Sequence, residues 1–268
     1  MNELLSIKSV SKIFGGLVAV DSVDMSIENG HILGLIGPNG AGKTTLFNCI
    51  SGLYPITSGE IIFSNERISG LPQPEITKRG ICRTFQQLRL FTGMTVLENV
   101  MVGAHTQGKA NAADSLLGFS NVKAEEKFLK EKACYYLDLF GLADKKDWYA
   151  KNLSYGDQRR VEIARALAAE PKLLLLDEPA AGMNLKESQE LTHLIEWIRT
   201  ELKKTILLIE HNMRVVMPIA DHVVVLAQGK KIFDGKPIEA QNAPQVIEAY
   251  LGQAYLQKMK LEQSPCLS

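Results

Sequence analysis

The chain has 268 residues, 46% of them hydrophobic, enough to bury a sizeable core as one large domain or two small ones. Its 30 basic and 30 acidic residues balance to a formal charge of zero, which argues against a nucleic-acid partner, since such binding draws on excess Lys and Arg. Cys49, Cys82, Cys134 and Cys266 form no C-x-x-C pair, so they read as reduced structural thiols and not as a disulfide framework or zinc site. No signal peptide is predicted, because residues 1–10 lack a basic stretch followed by an apolar one. No apolar run approaches the roughly 20 residues that a membrane span needs.

Residues 4–27 read as strands and turns, with Val23, Met25 and Ile27 alternating with Ser22, Asp24 and Ser26. Phe14, in Phe14-Gly15-Gly16, taken alone is either a core residue or a ligand contact. Glu28-Asn29-Gly30 turns the chain into a short aliphatic run, Ile32–Ile36, that reads as a buried strand. Directly after it stand Gly37, Pro38, Asn39, Gly40, Ala41, Gly42, Lys43, Thr44 and Thr45, with a helix-compatible run over 45–50 behind them. Strand, G-x-x-x-x-G-K-[ST], helix is a phosphate-binding loop in the context it requires. Glycines let the backbone curl so that successive N–H groups point into one concavity, and the helix adds its positive dipole end. Lys43 supplies a point charge to the β- and γ-phosphates, and Thr44 offers a hydroxyl to Mg²⁺. A glycine-rich turn would match this pattern by chance in on the order of one chain in a hundred. The loop predicts binding of a nucleoside triphosphate.

Gly52 is a helix C-cap, Ser58-Gly59 opens a strand over 60–64, and Asn65-Glu66 turns the chain back. These early strands predict an antiparallel side layer on an α/β core. Residues 80–85 make another short strand, ending at Gln86 and Gln87, and Thr95 and Glu98 have capping-box spacing. Over 105–120 the periodicity fails, predicting a loop or loosely helical insertion. Residues 123–140 form a helix with Phe128, Ala133, Tyr136, Leu137 and Phe140 on one face, and Gly141 ends it. The charge run over 123–132 is a solvated face of that helix.

Leu153-Ser154-Tyr155-Gly156-Asp157-Gln158 precedes a helix over 159–169, and by itself Ser154 could be no more than its cap. Four leucines, Leu173 to Leu176, then run into Asp177 and Glu178, a buried strand whose tip presents carboxylates where α/β sheets bind ligands. A further strand, Thr205–Ile209, ends at Glu210-His211, where the histidine alone would be unremarkable. Strands over 223–226 and 231–233 flank a Gln228-Gly229 turn, Pro244–Leu251 is helical, and the polar tail 253–268 is predicted mobile. As a set, Asp177 can hold Mg²⁺, Glu178 can orient or deprotonate water, His211 can reach a γ-phosphate, and Gln86 can touch metal or water.

At this point the chain resembles the ATP-binding subunits of ABC transporters. Residues 37–45 match Walker A, 173–177 Walker B, Glu178 the catalytic glutamate, Gln86 the Q-loop, and His211 the switch histidine. Phe14 matches the aromatic that stacks on adenine, and residues 153–158 match the signature motif. The resemblance implies an α/β P-loop NTPase fold of ABC type, with an antiparallel β side layer and a helical subdomain. It implies an ATPase domain over 1–252, a helical subdomain at about 88–158, and an uncovered tail at 253–268. It also implies ATP and Mg²⁺ as ligands. Ser154 and Gly156 would meet the γ-phosphate, and Mg²⁺ would engage Thr44, Gln86 and Asp177. Two departures stand out: Tyr155 and Asp157 replace glycine and glutamine of the common Leu-Ser-Gly-Gly-Gln, and Asn184 replaces an aspartate.

Residues 155–160, 180–184 and 209–213 are similar to the ATPases of branched-chain amino-acid importers, and the insertion after Val102 to their larger ATPase subunit. Urea and short-amide importers are close relatives. The resemblance implies a peripheral motor on the cytoplasmic face of the bacterial inner membrane. It would work as a head-to-tail dimer with a second ATPase subunit, identical or paralogous. Two membrane permease subunits and, indirectly, a periplasmic substrate-binding protein complete the system. Leu88, Leu90 and Phe91, after Gln86, are either a permease-docking surface or core. Two other classes compete: a soluble, non-transport ABC ATPase, and a phosphate-loop kinase. The first usually carries paired cassettes or a coiled coil, for which the sequence shows neither repeat nor heptads. The second is disfavoured by the signature and by a glutamate directly after the Walker B aspartate.

Overall fold

The computed structural model describes residues 3–84, 88–105 and 119–251. In chain order, two long strands, β1 (Glu3–Phe14) and β2 (Leu17–Glu28), lead to β3 (Ile32–Ile36) and helix α1 (Lys43–Ile50). Then come β4 (Ser58–Phe63), β5 (Glu66–Arg67), α2 (Gln73–Lys78), β6 (Ile81–Arg83), α3 (Val96–Ala104) and α4 (Phe119–Leu139). Helix α5 (Tyr155–Ala168), β7 (Leu173–Asp177) and α6 (Leu185–Thr200) follow. The last elements are β8 (Thr205–Ile209), α7 (Met213–Val216), β9 (His222–Ala227), β10 (Lys230–Gly235), α8 (Pro237–Asn242) and α9 (Pro244–Leu251). The described residues fall into two compact units, one within 1–73 and 188–268, the other within 74–187.

The first unit holds an antiparallel sheet in the order β2-β1-β4-β5, with Leu5 facing Phe63 and Ile27 across its registers. This is the side layer that the alternating sequence predicts. Its other sheet sets β3 between two parallel neighbours, with Ile32 paired to Ile206 of β8 and Leu33 to His222 of β9. All five residues of β3 and of β8 are buried, as expected of strands covered on both faces. Gly34 permits close packing there, since a Cβ would lie 2.5 Å from Val216 Cγ1 of α7. Antiparallel β10 closes the edge through a turn at Gln228 and Gly229, both at positive φ.

The second unit pairs β6 with β7 in parallel, Ile81 to Leu173 and Arg83 to Leu175. Around them α3 and α5 approach closely, for a Cβ on Gly103 would sit 1.9 Å from the Arg165 carbonyl oxygen. Thr95 and Glu98 form the anticipated capping box on α3, the backbone N–H of Glu98 donating to Thr95 Oγ1 and that of Thr95 to Glu98 Oε2. The buried face of α4 carries Leu129, Ala133, Tyr136 and Leu137, and buried Phe140 follows its last residue. Phe128 is not on it: five residues before Ala133 is about 140° around a helix, and its ring is 49% exposed, whereas Leu129 lies about 40° away. Nor is the charge run wholly solvated, because Lys132, its side chain 9% exposed, pairs with Glu170 at 2.8 Å. The tail 253–268 and most of the insertion, 106–118, lie outside the described residues.

Candidate functional site

In the first unit, β3 runs straight into the phosphate loop. Gly37, Gly40 and Gly42 adopt φ of 147°, 77° and 97°, values that L side chains resist. At two of them space is closed as well. A Cβ on Gly37 would lie 2.1 Å from the Leu226 carbonyl oxygen, and one on Gly42 would lie 2.4 Å from that of Ala19. Helix α1 then starts at Lys43 with no side-chain cap at Gly42 and no acidic residue in its first turn. Its first N–H groups and dipole are therefore offered to an anion. Lys43 is 5% exposed, and its Nζ donates to the carbonyls of Gly37 at 2.8 Å and Pro38 at 3.0 Å, which holds the cation over the loop. Asn39, Gly40 and Thr44 are exposed, Pro38 and Thr45 half-buried, and Ala41 buried.

A groove of about 420 Å³ lies over residues 40–45, with Leu17, Val18 and the Gln228-Gly229 turn as its other wall. Leu17 and Val18 are 68% and 45% exposed, an apolar ledge that the sequence reading leaves unassigned. Phe14 is 40% exposed, so its core alternative does not hold; its ring packs edge-on against Tyr54 with Lys12 Nζ 4.7 Å from its centroid. At the end of β8, Glu210 is fully buried and accepts from the backbone N–H of Asn212, while His211 is exposed.

In the second unit, β7 ends at Asp177, 2% exposed, whose Oδ2 accepts from Arg83 Nη2 at 3.2 Å. This buried ion pair joins the tips of neighbouring strands, and the sequence reading does not anticipate Arg83. Glu178 follows at φ 45°, a left-handed conformation that costs a non-glycine residue on the order of 1–3 kcal/mol. Its carbonyl accepts from the backbone N–H of Ala181 at 3.1 Å, closing a turn. Ser154 caps α5, its Oγ accepting from the N–H of Asp157 at 3.2 Å, so the capping alternative is real as far as it goes. A Cβ on Gly156 would meet nothing within 4 Å, so no neighbour among the described residues requires glycine there.

The departures from the common signature also have partners. Tyr155 donates its hydroxyl to the Ala181 carbonyl at 2.8 Å, and Arg159 Nη2 donates to that hydroxyl at 3.2 Å. Asp157 pairs with Lys145 at 2.7 Å, a bond that raises the lysine above its ordinary pKa. Asn184 Oδ1 accepts from the N–H of Glu187, whose Oε2 accepts from the N–H of Asn184, a reciprocal cap at the start of α6. Gln86 lies outside the described residues.

The fold and the loop define an ATP-binding cassette. The ABC transporter family model matches residues 20–181, and the chain belongs to that family. Within it, the chain is 45% identical to the high-affinity branched-chain amino acid transport ATP-binding protein LivG of Escherichia coli (strain K12), over 94% of this chain and 98% of that protein. It superposes on the ADP conformation of MJ1267, an ATP-binding cassette of an ABC transporter, with TM-score 0.82 and 33% identity, over 94% of this chain and 100% of that one. It also resembles a dimeric post-hydrolysis state of the cassette MJ0796 bound to ADP and Pi, with TM-score 0.73 and 26% identity, over 87% and 99% of the two chains.

Proposed function

We propose that this chain is the ATP-hydrolysing subunit of a membrane importer for branched-chain amino acids. The observation that carries the ATP chemistry is the phosphate loop, with Gly37 and Gly42 closed to any side chain and Lys43 held over it. The substrate class is supported by the likeness to LivG along nearly the full length of both chains. No described helix is long and apolar enough to cross a membrane, which suits a peripheral subunit bound to two permeases at the cytoplasmic face of a bacterial inner membrane. A periplasmic substrate-binding protein would feed those permeases. The ATPase domain is assigned to 1–252, its helical subdomain to 88–158, and permease docking to the segment of Leu88, Leu90 and Phe91. These three are half-buried or exposed.

Two such subunits, identical or paralogous, would face each other head to tail. Each ATP would then lie between Lys43 of one and Ser154 of the other. Lys43 and the loop N–H groups bind the β- and γ-phosphates, Phe14 faces the adenine, and Ser154 and Gly156 approach the γ-phosphate from the second copy. The open space at Gly156 supports that last contact. Thr44 and Asp177 are hard oxygen donors that suit Mg²⁺, which, with Gln86 as a further ligand, would neutralise phosphate charge when bound. Glu178 takes or orients the proton of the attacking water, and His211 contacts the γ-phosphate.

Glu178→Gln tests this reading. Gln keeps size and hydrogen bonding but loses the charge, so phosphate release falls by about 10²- to 10⁴-fold. Closure on ATP uses Lys43 and Ser154 and survives, so the variant elutes from gel filtration with Mg²⁺ and ATP as a closed dimer, alone or with its partner ATPase. Hydrolysis at the wild-type rate would remove Glu178 from the mechanism. An inactive variant that never shifts in elution would defeat the sandwich dimer.

A further inference from the structure

We infer that Tyr155 is a positioning residue that links Ser154, at the start of α5, to the turn that carries Glu178. The inference rests on the sandwich reading above, in which Ser154 serves the nucleotide of the facing subunit and Glu178 serves its own. The Tyr155 hydroxyl sits at the centre of a fixed chain of contacts. It accepts from Arg159 Nη2 at 3.2 Å and donates to the Ala181 carbonyl at 2.8 Å. Arg159 is fully buried one turn further along α5, where its Nη1 pairs with Glu162 at 2.6 Å, so the hydroxyl is referenced to a buried group of the helix.

On the other side, Ala181 belongs to the turn that Glu178 opens, through the bond from its N–H to the Glu178 carbonyl at 3.1 Å. Glu178 stands in a left-handed conformation, φ 45°, which persists only where surrounding contacts over-determine it. Tyr155 is 40% exposed, so core packing alone does not fix its position. Beside it, Gly182 stands at φ 79°, and a Cβ there would come 3.9 Å from the Tyr155 oxygen, so ring and turn lie against each other. A displacement of the α5 N-terminus when Ser154 meets a phosphate is thus passed, through one hydroxyl, to the turn that aims the carboxylate. The linkage makes hydrolysis at one site conditional on engagement at the other.

The test uses the purified full chain with its co-purified partners and Mg·ATP as the probe. Tyr155→Phe keeps the ring and removes both hydrogen bonds. Equilibrium ATP binding and KM should stay within about twofold of wild type, while kcat falls about tenfold, the scale of one well-placed hydrogen bond. The thermal midpoint is recorded beside it. Because that alone could follow from local loosening, Ser154→Ala and the double variant complete a cycle. If Tyr155 transmits the engagement of Ser154, the double variant is no slower than the slower single variant. Multiplying effects, or a kcat for Tyr155→Phe equal to wild type, would overturn the inference. A wild-type complex that does not turn over ATP would defeat the parent reading instead.

Discussion

At the phosphate loop the conformation is enforced by backbone against backbone: carbonyls of Leu226 and Ala19 stand where side chains on Gly37 and Gly42 would go. At the start of α5 nothing comparable exists among the described residues, and side chains hold the geometry instead, through Ser154 to Asp157, Tyr155 to Ala181 and Lys145 to Asp157. The two helix N-termini also differ in what they offer. That of α1 has no side-chain cap, whereas that of α5 is already capped by Ser154. A site that must hold a phosphate chain through a whole cycle gains from the first kind of construction. One that must engage and release gains from the second, because a side-chain contact exchanges without refolding a loop.

This contrast can be broken at three points. The largest effect is expected for Lys43→Ala, since a unit charge pair at 4 Å is worth roughly 4 kcal/mol at an effective dielectric of 20, less the cost of desolvating the lysine. ATP affinity should fall far beyond threefold by equilibrium binding; a value within threefold would remove Lys43 from the phosphate site. Next, Gly37→Ala drives a methyl group into a carbonyl oxygen and should destabilise the fold by about 3 kcal/mol in denaturant unfolding, besides losing ATP. A stability equal to wild type would show that the loop is held less rigidly than its contacts imply. Smallest is the effect of Gly156→Ala on stability, a gain of about 0.5–1 kcal/mol from helix propensity, because the added methyl meets nothing among the described residues. Turnover of the assembled complex should nevertheless collapse. Retained turnover would mean that no phosphate approaches Gly156.

Legibility in the sequence followed the range of the interaction. The strand, glycine loop and helix over 32–50 could be read because each signal concerns adjacent residues, as could the Thr95 capping box and the Gln228-Gly229 turn. Phe128 departs from the predicted face because five residues before Ala133 is about 140° around the helix. Helix α6 is absent from the sequence reading, although Asn184 and Glu187 carry a cap signature and Leu191, Ile195 and Ile198 supply a buried stripe. The signal was present there. It was not present for Arg83 and Asp177, which are 94 positions apart and meet only because β6 pairs with β7. Tyr155 stood out as a departure from the common signature, but its acceptor, 26 positions on, is a backbone carbonyl and leaves no trace in residue identity.

On the role proposed for Glu178, its left-handed backbone sets the demands of folding against those of chemistry at a single Cα. An L residue there pays roughly 1–3 kcal/mol that glycine would not, so any procedure that ranks substitutions by folding stability alone favours glycine at that position. In the proposed mechanism the carboxylate is therefore a cost that turnover justifies. Lineages of this chain released from selection for hydrolysis, but still selected to fold, should drift away from glutamate at position 178 sooner than from the glycines at 37 and 42.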